Sequence, residues 1–156
     1  MRFHALLVLA LAASGCGKPG PTLAGGKPIE DWVKALQDPD AKTRKIAAMK
    51  LGNVGSTDPA ALPALLGALK DRDAGVRCDV ILALVKFGPD AKDAVPALTK
   101  ALGDPETEVR RAAAEALGDI GKAAQSALPQ LKAALKDSDD EVQDSAAEAI
   151  KKIDRP

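Results

Sequence analysis

The sequence predicts an all-α protein, an α-solenoid of four two-helix repeats. Three observations support this fold class: a segment recurs every 33 residues, apolar residues within each copy follow helical spacing, and glycine or proline stands at fixed places. The recurring segment reads LQDPD, LKDRD, LGDPE and LKDSD, at 36–40, 69–73, 102–106 and 135–139. Units of this size cannot cover their own apolar faces, so stacking of successive units is expected.

Each copy is predicted to begin with a short helix, for which the third copy serves as the example. Residues 94–102 place apolar side chains at helical spacing. Pro96 stands in the first turn, where no helical hydrogen-bond donor is lost. Asp93 is predicted to cap the start of this helix, and Ser126 to do so in the last copy. A Gly-Asp-Pro turn at 103–105 ends the helix.

A longer second helix is predicted over residues 106–117 of the same copy. Its apolar face runs from Val109 through Ala113 to Leu117, and Gly118 and Gly121 are predicted to end it. Acidic clusters at 38–40, 71–73 and 137–141 resemble metal loops at first sight. We interpret them as helix caps, because aspartate before a helix satisfies its free amides, and we predict no metal site.

The first 15 residues are predicted to be a signal peptide. Arg2 precedes the apolar run at 5–13, which is shorter than the ~20 residues that a membrane-spanning helix needs. The sequence Ala-Ser-Gly-Cys at 13–16 resembles the lipobox of bacterial lipoproteins, which implies cleavage before Cys16 and lipidation of that residue. The implied location is the bacterial cell envelope, with a lipid anchor in a membrane. A plain cleaved signal and a secreted or periplasmic protein remain the alternative.

The remaining chain divides into a tether and a repeat domain. Residues 16–27 contain the lipidated cysteine and a glycine- and proline-rich stretch, which predicts a flexible tether. Residues 28–154 form the repeat domain, with units at 28–58, 59–91, 92–124 and 125–154.

Composition excludes several functions. Lysine plus arginine and aspartate plus glutamate both number 22, and aromatic residues make up 2%, so no nucleic-acid partner is predicted. The only histidine is His4, which lies in the predicted signal peptide. Cys78 and the serines therefore lack an imidazole to activate them. We predict no catalytic residue, no cofactor and no small-molecule substrate.

The repeat columns resemble the HEAT repeat, in particular the short HEAT-like repeats of phycobilisome lyases. The third unit carries the resemblance best, with AVPAL at 94–98, LGDP at 102–105, Val109-Arg110 and AAAEALG at 112–118. The resemblance covers 28–154 and implies a structural ladder of aspartate and arginine between neighbouring units. The implied ladder residues are Asp38, Arg44, Asp71, Arg77, Asp104, Arg110 and Asp137. Gln143 stands where a fourth arginine would be, so the ladder is expected to end there.

The same resemblance implies that the second helices line a concave face, and that a protein or peptide partner binds there. Along this face the second unit is apolar, which makes Cys78, Leu82 and Val85, with Met49 beside them, the candidate partner-binding residues. Alternatively, these side chains are packed by their neighbours. The net charge of the second-helix segments falls from +3 in the first unit to −3 in the last.

The sequence thus predicts a non-catalytic interaction scaffold, exported and tethered to a membrane. Two alternatives stay open: an auxiliary lyase-like or chaperone subunit for a cofactor-bearing protein, and a surface protein that binds divalent cations. The di-iron hydroxylases of this fold use repeated His-Glu pairs, which this chain does not have. Hydroxylase activity is therefore not implied.

Overall fold

The computed structural model describes residues 23–155, apart from the side chain of Pro89, and confirms the predicted all-α solenoid. Its α-helices are α1 Ile29–Ala35, α2 Ala41–Val54, α3 Ala61–Ala68, α4 Ala74–Val85, α5 Val95–Ala101, α6 Thr107–Ile120, α7 Leu128–Ala134 and α8 Asp140–Ile153. Short 3₁₀ turns at Gly55–Thr57, Gly88–Ala94 and Gly121–Ala127 connect successive units. The predicted signal peptide and Cys16 lie outside the described residues. Within residues 23–155, no helix has the length and apolarity that crossing a membrane requires.

The helices form two layers around one apolar core. The short first helices α1, α3, α5 and α7 make one layer, and the long second helices α2, α4, α6 and α8 make the other. Leu65, Leu98 and Leu131, which occupy one repeat column, are all fully buried between the layers. The second helices contact one another far more extensively than the first helices do. We infer that the second helices line the concave side of the curved stack.

Aspartate caps start three of the four second helices. The side chains of Asp40, Asp73 and Asp139 accept hydrogen bonds from backbone amides in the first turns of α2, α4 and α8. Each of these residues has the extended backbone that a capping residue adopts. The acidic clusters therefore have a structural use in the described chain.

The predicted caps of the first helices are wrong. Asp93 and Ser126 lie inside 3₁₀ turns, and neither α5 nor α7 has a side-chain cap. In each case the turn runs directly into the helix, so the residue before it, Ala94 or Ala127, has helical backbone angles. Without an extended residue at this point, a side chain cannot fold back onto the first amides.

The predicted end of α6 is half right. Gly121 follows the helix with a φ of 67°, a left-handed conformation that glycine adopts without strain. Gly118 instead lies inside α6 and is buried. A Cβ atom there would stand 2.9 Å from the Cα atom of Ala149 on α8. Gly118 is thus a point of close helix approach and not a helix stop.

The last residues assigned to the tether form a small cap on the first unit. Strands β1 Leu23–Ala24 and β2 Lys27–Pro28 pair antiparallel around a two-glycine turn. The Trp32 indole donates a 2.8 Å hydrogen bond to the Ala24 carbonyl, and the Lys27 ammonium lies 5.2 Å from the centre of the indole ring. Residues 23–27 are therefore packed against α1, because Trp32 holds them there.

Candidate interaction surface

The predicted ladder residues meet between units, at the turns that precede the second helices. Arg44 forms a two-bond ion pair with Asp71, as Arg77 does with Asp104, at distances of 2.6 to 2.9 Å. Arg110 pairs with Asp137 in the same way, both bonds being 2.8 Å. Each arginine thus joins its own unit to the next one along the chain. We call these three pairs the Asp–Arg ladder.

Each ladder arginine also holds the turn of its own unit. Its Nη1 atom donates to the backbone carbonyl of the aspartate six residues earlier, for example from Arg77 to Asp71 at 2.8 Å. Gln143 keeps only this local bond, donating to the Asp137 carbonyl at 2.8 Å. At the other end, the Asp38 carboxylate caps the Asp40 amide and has no arginine partner among the described residues.

Burial and pairing with arginine shift the pKa of the ladder carboxylates in opposite directions. Burial raises the pKa of Asp71, but hydrogen bonds from Arg44 and from the Asp73 amide outweigh it and lower that pKa overall. The Arg110 hydrogen bonds similarly lower the pKa of Asp137. Ladder side chains retain at most 12% of their exposure, so either charge left alone would be poorly hydrated.

Acid should weaken the Asp–Arg ladder, and one substitution can show how much of the effect comes from Asp137. A carboxyl group with a lowered native pKa stabilises the fold fully above its ordinary pKa of about 3.9, and loses this contribution as pH falls through the lowered value. We expect the thermal unfolding midpoint, followed by circular dichroism, to drop across this acid range. Arg110→Gln, which removes the cation beside Asp137, should show a smaller drop. Equal dependence on pH in both proteins would contradict this assignment.

The apolar stripe predicted on the second unit is partly exposed. Leu82 is 56% exposed and Met49 45%, whereas Cys78 and Val85 are half-buried. Leu82, Met49 and Val85 line one open groove of about 660 Å³, which extends across α2, α4 and α6. Cys78 does not line it, and burial raises the pKa of its thiol.

Part of the groove was not predicted from the sequence. Ile46, 37% exposed, lies one turn before Met49 on α2, and Ala112 and Ala116 of α6 form the opposite side. The candidate residues were taken from a single column of positions on each second helix. Ile46, Asp79 and Ala112 belong to the neighbouring column and were therefore not predicted. The signal that could have found them is the small size of the α6 residues facing Leu82.

Glycine allows close helix contact at two of the three junctions between second helices. Gly52 lets α2 touch α4, because a Cβ atom at Gly52 would lie 2.7 Å from the Cβ atom of Ala83. Gly118 plays the same part between α6 and α8. The residue in this column of the second unit is Val85, and contact between α4 and α6 is less extensive than at the junctions on either side. We infer that Val85 acts as a spacer there, because it stands where the other two junctions have glycine.

Polar side chains of the second helices also link units one and two, and units three and four. Lys86 donates to Asn53 at 2.7 Å, which joins units one and two, and Lys152 donates to Asp119 at 2.8 Å, which joins units three and four. Within residues 23–155, the polar side-chain link between units two and three is the Arg77–Asp104 pair alone. Units two and three thus lack the polar bridge between second helices that the other two junctions have, and the groove spans units one to three.

The described chain contains no clustered metal donors. Within residues 23–155, no group of three histidine, cysteine, aspartate or glutamate side chains is arranged to hold a metal ion. Asp40, Asp73 and Asp139 are engaged as helix caps.

These features define an α-solenoid with an apolar groove on the side of its second helices. The sequence pattern of HEAT repeats matches residues 29–94 and again residues 89–151. The chain therefore belongs to the HEAT-repeat family. A search of the curated proteins found no match.

Solved structures with the same fold include an engineered protein, 30% identical with a TM-score of 0.60, over 80% of this chain and 62% of its own length. The complex of CpcE and CpcF of phycocyanin lyase from Nostoc sp. PCC7120 is 25% identical with a TM-score of 0.58, over 90% of this chain and 68% of that one. Human deoxyhypusine hydroxylase in complex with glycerol is 29% identical with a TM-score of 0.69. That match covers 87% of this chain and 46% of the hydroxylase. The chain thus spans less than two thirds of the engineered protein and less than half of the hydroxylase.

Proposed function

We propose that this protein is a non-catalytic scaffold that binds a protein or peptide partner in the concave groove. A helical repeat fold supports an interaction role in general. The observation that carries the finer proposal is the exposure of Ile46, Met49 and Leu82 around one groove at the centre of the second-helix face. Contiguous exposed apolar side chains are costly to keep in water and mark contact sites.

We further propose that the scaffold is held at a membrane of the bacterial cell envelope by lipid on Cys16, or is otherwise secreted or periplasmic. This part rests on the sequence, namely the short apolar run at 5–13 and the cysteine that follows it. More than one acyl chain at one cysteine would make the anchoring stable. The groove would then face partners that reach the same membrane surface.

The absence of catalysis is part of the proposal. The hydroxylase likeness raises the question of enzymatic activity. The only histidine of this chain is His4, far in sequence from the repeats, so the described residues offer no imidazole as base or ligand. The Cys78 thiol, half-buried and with a raised pKa, is a weak nucleophile.

A second candidate is an auxiliary lyase-like or chaperone subunit for a cofactor-bearing protein. The likeness to the CpcE and CpcF complex favours it, and a coloured or metal-bearing complex purified with this chain would support it. The divalent-cation alternative has no comparable support, since Asp40, Asp73 and Asp139 cap helices and the ladder aspartates are paired with arginine. A calorimetric titration with calcium that releases heat would be needed to revive it.

Site-specific photo-crosslinking in the native cell envelope tests the scaffold proposal. A photoreactive amino acid at position 82 should capture a partner protein, whereas one at position 135 should not. Leu135 is the matched control, because it is also an exposed leucine, at 39%, but lies outside the groove. Leu82→Glu should abolish co-purification of the captured partner while circular dichroism stays helical. Equal capture at both positions would overturn the assignment of the groove.

A further inference from the structure

The α4–α6 side of the groove leaves room for a side chain from a partner. Leu82 and Val85 form one wall, and Ala112 and Ala116 form the other. Alanine side chains end at Cβ, so the space above them is open, and Leu82 remains 56% exposed beside it. An apolar side chain inserted here would cover Leu82 and both alanines together.

Three carboxylates and two lysines line this groove, and they differ in their partners. Lys45 lies 3.9 Å from the Asp73 carboxylate, and Lys86 donates to Asn53 at 2.7 Å. Glu115 accepts a hydrogen bond from Arg111 at 2.9 Å, and Asp119 accepts one from Lys152 at 2.8 Å. Asp79, on α4, lines the same groove and is half-buried. It has neither a hydrogen bond nor an ion pair with any other side chain of residues 23–155.

The state of Asp79 restricts what can cover the groove. Asp79 keeps part of its surface open to solvent. An apolar partner that covered the carboxylate would desolvate it and leave a negative charge unpaired, which is strongly unfavourable. A partner with lysine or arginine next to its apolar side chain would supply the missing counter-charge. The groove lysines already have side-chain partners, so the charge left without one on covering is that of Asp79, and a basic group beside it is favoured over a neutral or acidic one.

We propose that the groove binds a segment of another protein in which an apolar side chain is flanked by lysine or arginine. The apolar side chain lies between Leu82 and the α6 alanines, and the cation pairs with Asp79. This inference rests on the proposed function, and adds the chemistry of the partner and the role of Asp79. It requires no rearrangement of the Asp–Arg ladder.

Selection from a random peptide library displayed on phage tests this inference. The baits are the full chain in mild detergent, Asp79→Asn, and Asp144→Asn as a matched control, since Asp144 is an exposed aspartate of α8 outside the groove. The unsubstituted chain should enrich peptides that combine an apolar residue with an adjacent lysine or arginine. Affinity for a selected peptide should fall about tenfold or more in Asp79→Asn, the worth of one charge-assisted bond, and stay unchanged in Asp144→Asn.

A charge reversal provides the second arm. Asp79→Lys should shift the enriched peptides toward acidic residues beside the apolar one, with an unchanged circular dichroism spectrum. Enrichment of neutral or acidic peptides by the unsubstituted chain, no enrichment at all, or equal losses in Asp79→Asn and Asp144→Asn would overturn the inference. The scaffold proposal would still stand on crosslinks from position 82, so the two failures are distinguishable.

Discussion

Replacing Arg77 by leucine should lower the free energy of unfolding by about 3 kcal/mol, because it breaks a buried ion pair from one side. Arg77 donates to both carboxylate oxygens of Asp104, at 2.9 and 2.6 Å, and to the Asp71 carbonyl at 2.8 Å. The two side chains are only 11% and 12% exposed. Leucine would leave Asp104 negative and nearly without water. Urea denaturation at neutral pH, monitored by circular dichroism, measures the loss.

Two further variants show how much of the lost stability comes from the unpaired charge and how much from lost packing. The double substitution Arg77→Leu with Asp104→Leu removes both charges, and should recover most of the lost stability, since apolar replacements of a buried pair are often nearly neutral. Arg72→Leu is the surface control, because exposed Arg72 makes one bond, 3.0 Å long, to the Pro39 carbonyl. It should change stability by less than about 1 kcal/mol. A double variant as unstable as Arg77→Leu would refute the explanation.

Adding one methyl group should have opposite effects at two helical glycines. In Gly52→Ala, the new Cβ atom would stand 2.7 Å from the Ala83 Cβ atom and 2.8 Å from the Ala83 Cα atom. Since α2 and α4 would have to separate, we expect a loss of about 1–3 kcal/mol. In Gly67→Ala, at an exposed position of α3, no atom lies within 4 Å of the new Cβ atom. Here alanine should stabilise the helix by about 0.5–1 kcal/mol.

Comparing Gly52→Ala with Gly67→Ala tests the close approach of α2 and α4, which neither variant tests alone. Both add the same atoms to a helix, so helix propensity favours alanine equally in each. The difference in unfolding free energy between them therefore reports the close approach of α2 to α4. If Gly52→Ala were as stable as Gly67→Ala, the role of Gly52, and with it that of Val85 as a spacer, would be wrong.

The fold could be predicted from the sequence because each unit repeats the same pattern of buried apolar positions. A column such as Leu65, Leu98 and Leu131 points to a shared core position, and the 33-residue step fixes which columns meet. The first helices were placed within a residue or two. Their caps were misassigned, because a 3₁₀ turn that continues into a helix leaves no sequence signal distinct from an aspartate cap.

The interaction surface was less accessible, for a physical reason. Which apolar side chains share one groove depends on how α2, α4 and α6 pack together, and a single column of the repeat does not give this packing. The sequence grouped Cys78 with Leu82 because both follow one stripe, but only Leu82 reaches the groove. The cap on the first unit was missed because its tie, from Trp32 to the Ala24 carbonyl, uses a backbone acceptor that any residue could supply.

The pairing of units has a mechanical consequence. Units one and two are joined by the close approach at Gly52 and by the Lys86–Asn53 hydrogen bond. Units three and four are joined in the same way by Gly118 and the Lys152–Asp119 hydrogen bond. Between units two and three, the Arg77–Asp104 pair is the one polar side-chain link within residues 23–155, so we expect bending of the superhelix to concentrate at this junction. A tilt of α4 against α6 would change the width of the groove. Occupancy of the groove and curvature of the superhelix would then report on one equilibrium.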